Sequence, residues 1–181
     1  ETPHPPPVGE GAGGPPPPRG APAAGAGSRT GEVTLGERRE LGSYHFTPDE
    51  IIRYARAFDP QPFHLSDEGA AQTHFGRLCA SGWHTGSVWM KLMVAHIQAE
   101  CERLGTPSRL GPSPGFTDLK WIRPVFAGDT ITYSSTLLEK REMRTRPQWG
   151  LAIHGNEGVN QDGVTVFSFT GKVLVARRPG E

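Results

Sequence analysis

Two regimes of apolar and polar positions follow one another along the chain. Between Thr47 and Arg103 apolar residues recur three or four positions apart, the spacing of helices; beyond Gly105 they fall in short stretches rich in Val, Ile, Thr, Tyr, Phe and Trp, the texture of strands. Thr47-Pro48-Asp49-Glu50 forms a capping box with proline at the first helical position. Apolar Ile51, Ile52, Ala55 and Phe58 follow, so a short amphipathic helix is predicted over about 47–58. Asp59 precedes Pro60, and the residue before a proline avoids the helical region, which ends the helix there. Ser66 has the character of an N-cap for a further short helix through about Thr73. The longest helical pattern begins near Ser81 and runs to about Arg103. Its apolar residues, from Trp83 through Val88, Trp89, Met90, Leu92, Met93 and Val94 to Ile97, cover more than half the circumference, which predicts a helix buried on most sides.

The second regime predicts strands over Phe116–Val125, Asp129–Glu139, Gln148–Val159 and Val164–Ala176. Ala127-Gly128-Asp129, the basic stretch Lys140–Pro147 and Asn160-Gln161-Asp162-Gly163 separate them as turns. Another strand around Gly42–Phe46 is weakly signalled. One long buried helix followed by a run of antiparallel strands is an α+β pattern, a sheet wrapped around a helix.

Composition changes the picture at one place. From Pro3 to Gly27 nearly every residue is Pro, Gly or Ala, with too few large side chains to offset the entropy of ordering, so residues 1–31 are expected to form a disordered tail and 32–181 the domain. With 181 residues the chain suits one domain. Lys plus Arg and Asp plus Glu each number 19, and this zero net charge offers no case for nucleic acid. The longest apolar run, Val88 to Ile97, is broken by Lys91 and His96 and falls short of the ~20 residues a membrane span needs. The opening residues carry no basic, apolar signal segment, and the two cysteines, Cys79 and Cys101, belong to no CxxC pair. Reduced thiols and a cytoplasmic location are the expectation.

Phe58-Asp59-Pro60-Gln61-Pro62-Phe63-His64 brings a carboxylate, an amide and an imidazole into a segment stiffened by prolines. In a straight strand Asp59 and His64 would face opposite sides, so their convergence requires a bend, which the prolines can supply. A stiff loop suits an acid–base pair, whose rate depends steeply on positioning; a structural hydrogen bond in an exposed turn is the alternative. Cys79-Ala80-Ser81-Gly82-Trp83-His84-Thr85 opens the long helix, where free N–H groups and the helix dipole favour an oxygen that becomes negative during reaction. The plainer reading makes Ser81 only the N-cap and Gly82 a packing residue. His84 and His96 stand twelve apart, which is no metal-ligand spacing, so no metal or cofactor is expected. Arg141, Arg144 and Arg146 are placed in a solvated loop between strands, within reach of the phosphates of a carrier such as coenzyme A.

Three motifs, Asp59-Pro60-Gln61-Pro62-Phe63-His64, Phe75 to Thr85, and Arg123-Pro124-Val125-Phe126-Ala127-Gly128-Asp129-Thr130, occur in an order and spacing that resemble the MaoC-like dehydratase/hydratase family over about residues 32–177. The resemblance implies a hot-dog fold and addition or removal of water across trans-2-enoyl or (R)-3-hydroxyacyl thioesters of coenzyme A or acyl carrier protein. By matching position, Asp59 and His64 would hold and activate the water, and the N–H of Gly82 would form the oxyanion hole. Gln61 and Ser81 would support them. Where the family's hydratase signature commonly has Gly before the Asp and Asn two residues after it, this chain has Phe58 and Gln61. Gln keeps the amide and lengthens its reach; Phe58 narrows the space beside Asp59. A hot-dog thioesterase and a non-catalytic acyl-thioester-binding subunit are the competing readings. A homodimer is expected, because an open sheet leaves an edge strand for a second copy to cover.

Overall fold

A computed structural model describes residues 33–177, so the Pro/Gly/Ala-rich tail predicted over 1–31 lies outside the described residues. The elements in order are β1 (Arg38–His45), α1 (Pro48–Phe58), a single 3-10 turn (Pro62–His64), α2 (Asp67–Ala71) and α3 (Gly82–Leu104). Four strands follow: β2 (Gly115–Trp121), β3 (Thr130–Glu142), β4 (Trp149–Val159) and β5 (Thr165–Ala176). All five strands form one antiparallel sheet in the order β1-β3-β4-β5-β2. β1 and β2 are therefore the edges, and the two strands that flank the helices in sequence close the sheet on either side.

Local chemistry sets the helix ends. The Thr47 hydroxyl accepts the N–H of Glu50 at 3.3 Å and donates to its carboxylate at 3.0 Å, with Pro48 in the first turn. α1 buries Ile51 and Ala55, and it ends at Asp59, whose backbone (φ −152°, ψ 68°) lies outside the helical region that the following Pro60 disfavours. At the C-terminus of α3, Gly105 takes the left-handed conformation (φ 63°) and its N–H closes the last turn. With 23 residues α3 is roughly 35 Å long and crosses the width of the domain.

The core lies between α3 and the sheet. Phe46, Ile51, Val88, Val125, Ile131, Tyr133, Val166 and Phe167 form one cluster, and fully burying each of the larger apolar side chains contributes about 1.5–3 kcal/mol. Tyr133 ties strand to helix through a hydroxyl that donates to the Thr85 carbonyl at 3.0 Å. Ile131 and Tyr133 point inward, and more exposed Thr132 lies between them, the alternation anticipated for a sheet with one packed face.

Several boundaries differ from the sequence reading, each for a local reason. β1 starts at Arg38, earlier than Gly42, because its first residues pair with Ser134–Thr136 of β3 across a bulge at Glu40–Gly42. α2 stops at Ala71, not near Thr73, whose N–H and hydroxyl both turn back to the Ala70 carbonyl. The strand predicted through Val125 leaves the sheet after Trp121. Pro124 has no N–H for a ladder, and Val125 and Ala127 bond instead to the segment before α3, with Ala80 N–H to the Val125 carbonyl at 2.7 Å and Ala127 N–H to the Leu78 carbonyl at 3.1 Å. Arg141 is no loop residue: β3 extends to Glu142, Arg141 pairs with Leu151, and its guanidinium is held by Glu139. Most of all, α3 is not buried on most sides. His84, Thr85 and Val88 are, but Trp83, Met90 and Val94 are exposed, because a single five-stranded sheet covers only one flank of the helix. No helix among the described residues is long and apolar enough to cross a membrane.

His84 binds α1 to α3 and carries a pH consequence. Its ring is 5% exposed, stacks on Tyr54 at 4.5 Å and 5°, meets the edge of Phe46 at 5.0 Å, and its Nδ1 has no protein partner. Burial, only partly opposed by the nearby Glu50 carboxylate, pushes its pKa down from 6.5 to about 4. The unfolded chain therefore takes up the proton first, so the neutral ring's contribution to stability is complete above about 6.5 and is lost progressively toward pH 4. In chemical denaturation series, the wild type should lose about 1–3 kcal/mol more than His84→Phe over that window; equal slopes for the two proteins would contradict this.

Candidate functional site

The two residues singled out in the proline-rich segment converge. Pro62–His64 forms the 3-10 turn, the His64 N–H bonds to the Gln61 carbonyl at 2.9 Å and the Gln61 N–H to the Asp59 carbonyl at 2.8 Å. These bonds fold the segment back so that His64 Nε2 lies 3.5 Å from Asp59 Oδ2. The loop is also fastened from outside: Cys79 donates its N–H to the Phe63 carbonyl at 3.2 Å, and Asp67 of α2 accepts the Leu78 N–H at 2.7 Å. The stretch before α3 is thereby laid against the loop carrying Asp59 and His64.

Three further groups orient the pair. Ser81 donates its hydroxyl to Asp59 Oδ2 at 2.7 Å, and Gln61 donates its side-chain N–H to Asp59 Oδ1 at 2.8 Å. His64 Nδ1 lies 2.7 Å from the Cys79 carbonyl. A carbonyl only accepts, so Nδ1 carries the proton, and in the neutral ring Nε2 presents a lone pair toward Asp59. Burial raises the Asp59 carboxyl, but the Ser81 and Gln61 hydrogen bonds and the neighbouring His64 together hold it below the ordinary carboxylate range. With the ring neutral, the Asp59 carboxylate and His64 Nε2, 3.5 Å apart, are both acceptors. The group that satisfies them together is a donor with two hydrogens, such as a water molecule.

Ser81 is also the N-cap of α3: the oxygen that donates to Asp59 accepts the Trp83 N–H at 3.2 Å. Gly82 is the first helical residue, and its N–H has no acceptor among the described residues. A Cβ at position 82 would lie 2.4 Å from the indole of Trp121, so the approach of that ring requires glycine. The helix dipole adds to this free donor, and an anionic oxygen is favoured beside it.

All five predicted positions, Asp59, Gln61, His64, Ser81 and Gly82, thus gather at the head of α3. Arg141 belongs to β3 and bonds to no residue of this group. Two participants were not foreseen: the Cys79 carbonyl that sets the His64 tautomer, a backbone group that no side-chain pattern reveals, and Trp121. The aromatic texture of β2 marks Trp121 as a strand residue but says nothing of what its ring touches. Cys79 itself is buried beside His64, and burial pushes its thiol up to about 11, which keeps it protonated and inert at neutral pH. Among the described residues no group of three or more His, Cys, Asp or Glu is placed to hold a metal ion. A shallow, open depression along α1, lined by Asp49, Arg53 and Arg56, shares no residue with the site.

The fold defined by these elements, an antiparallel sheet packed on one long helix, is the hot-dog fold. The chain belongs to the family described as the MaoC like domain, which matches residues 31–151. The MaoC-like dehydratase of Rhodospirillum rubrum superimposes with a TM-score of 0.71 at 31% identity, over 84% of this chain and 99% of that one. An uncharacterized protein of Bacillus subtilis strain 168, YdeM, is 28% identical over 147 residues, covering 81% of this chain and 97% of its own length. The (R)-hydratase from A. caviae involved in PHA biosynthesis shares the fold with a TM-score of 0.57 at 22% identity, over 78% of this chain and 96% of that one.

If the Ser81 hydroxyl both stabilises the Asp59 carboxylate and caps α3, Ser81→Ala should raise the Asp59 pKa and cost about 1 kcal/mol of stability. Carbon-detected NMR titration of the Asp59 carboxyl together with denaturation checks both; an unmoved titration would separate Ser81 from the carboxylate.

Proposed function

We propose that this protein is a hydro-lyase that adds water to, or removes it from, the double bond of an enoyl thioester, with Asp59 and His64 as its acid–base pair. The observation that carries the reading is the pair of acceptors 3.5 Å apart, Asp59 Oδ2 and His64 Nε2, beside the free N–H of Gly82. A water bridging the two acceptors donates one hydrogen to each and keeps a lone pair for attack. The thioester carbonyl oxygen sits at the Gly82 N–H, where the charge that develops on attack at the β-carbon is stabilised by the helix end. As the water oxygen bonds to the β-carbon, one of its protons passes to the pair; the same pair delivers a proton to the α-carbon. Because both transfers occur at one cluster, addition takes place on one face of the substrate. The transferred proton is passed within the Asp59–His64 pair and is assigned to neither side chain alone.

Family membership and the likeness to an (R)-hydratase support this reading, as does the ionised state of Asp59, which an acceptor of the water's proton must have. Gln61 and Ser81 serve as positioning residues, each spending one donor on a different Asp59 oxygen. Coenzyme A and acyl carrier protein are both suitable carriers of such a thioester. We further propose a homodimer, formed through the exposed edge of β2 beside Phe116, which is 53% exposed.

Asp59→Asn and His64→Gln should each reduce hydration of a crotonyl thioester by ~10²–10⁴, with folding retained. Loss of the enoyl absorbance measures the rate, and a fully active Asp59→Asn protein would refute the role. Release of free thiol with the enoyl absorbance unchanged would instead identify a thioesterase. Sedimentation at micromolar concentration should find a dimer; a monomer alone would contradict the proposed assembly.

A further inference from the structure

Trp121 packs on Gly82, the first residue of α3, and does not belong to the Asp59–His64 cluster. It ends β2, the edge strand, and its ring lies so close over Gly82 that a Cβ there would be 2.4 Å from Cε2 and Nε1. Trp83, one residue further into the helix, meets it edge to face with ring centroids 5.2 Å apart and planes at 77°. These two large apolar side chains remain 48% and 56% exposed, while the smaller Ile51, Val88 and Ile131 of the same domain are buried. The indoles therefore form an uncovered aromatic surface within one residue of Gly82 and two of Ser81, the residue that holds the Asp59 carboxylate. Phe58, which precedes Asp59, is 74% exposed and leans on Tyr54 at 5.0 Å, so its ring is held within α1.

We propose that Trp121, with Trp83, is the acyl-binding platform of the site, and that it sets a preference for medium-chain over short-chain enoyl thioesters. The proposal rests on the hydratase reading above and adds the part of the substrate the indoles receive. A thioester whose carbonyl oxygen sits at the Gly82 N–H must run across the ring packed on Gly82. Of its two arms, the carrier arm is rich in amides that require hydrogen-bond partners, whereas the acyl arm gains from apolar contact alone. Two indole faces supply area of that kind. Each methylene fully removed from water on such a surface strengthens binding about four-fold, less where the chain stays partly wet. A half-open platform lengthens the preferred chain; a closed wall would shorten it.

The test is kcat/KM for hydration of trans-2-enoyl-CoA substrates with four-, six- and eight-carbon chains, in the wild type, Trp121→Ala, Trp121→Phe and Trp83→Ala. In the wild type kcat/KM should rise with chain length. Trp121→Ala should shrink the eight-to-four-carbon ratio by about ten-fold, Trp83→Ala should shrink it less, and Trp121→Phe should keep most of it. Should Trp121→Ala fail to fold, as a circular-dichroism melt would reveal, Trp83→Ala on the exposed flank of α3 carries the same expectation. A ratio unchanged in both alanine variants overturns the proposal, and so does a ratio that rises, the mark of a wall. A change of sedimentation coefficient with the ratio unchanged also overturns it, because the indoles would then serve a second copy of the chain. A wild type that hydrates no chain length, while the melt reports a folded protein, instead defeats the hydratase reading itself.

Discussion

One hydroxyl couples the fold to the chemistry. Ser81 Oγ accepts the Trp83 N–H as the cap of a 23-residue helix, and donates its own hydrogen to Asp59, the residue that ends α1. Start of one helix and end of another are thereby held to a single atom. Against the burial that raises it, the carboxyl is held down by the donors from Ser81 and Gln61 and by the neighbouring His64. Remove that bridge and the head of α3 loses its cap while the acid–base pair loses its register. The Val125 and Ala127 ladder to residues 78–80 serves the same point from the other side, by pinning the segment that carries Ser81.

His64 shows how backbone geometry assigns a chemical state. Its Nδ1 faces a carbonyl that offers only lone pairs, so Nδ1 carries a proton and Nε2 is the nitrogen turned toward Asp59. The candidate site is a gap between two acceptors, bounded by a helix end that favours negative charge, and the proposed reaction class rests on what such a gap would hold. The likeness to MaoC-like dehydratases agrees with that class and stops short of the substrate.

The elements with strong local signals were legible in the sequence: the Thr47 capping box, the proline that stops α1 at Asp59, Ser81 as a cap, and the β-rich stretches after Gly105. The convergence of Asp59, Gln61 and His64 was legible too, because prolines in a short segment announce a bend. What escaped was set by tertiary contact. Beyond Trp121, Ile122 and Arg123 both turn to the one Val166 carbonyl, and Val125–Ala127 are recruited to residues 78–80, a pairing invisible along the chain. The basic stretch after Glu139 looks like a turn by composition, yet cross-strand pairing with Ala152–Gly150 carries β3 to Glu142. The apolar circumference of α3 implied burial all round; instead Trp83, Met90 and Val94 remain uncovered within one chain. Hydrophobic periodicity counts faces without saying which molecule covers them.

Hydration of a crotonyl thioester in deuterium oxide, followed by proton NMR of the product, tests the central claim most directly. With one water held by Asp59 and His64, and the same pair returning the hydrogen, the product should be a 3-hydroxyacyl thioester with a single deuterium at the α-carbon and a single relative configuration. A mixture of the two α-carbon configurations, or a product with the double bond intact, would contradict an acid–base pair working on one face of the substrate.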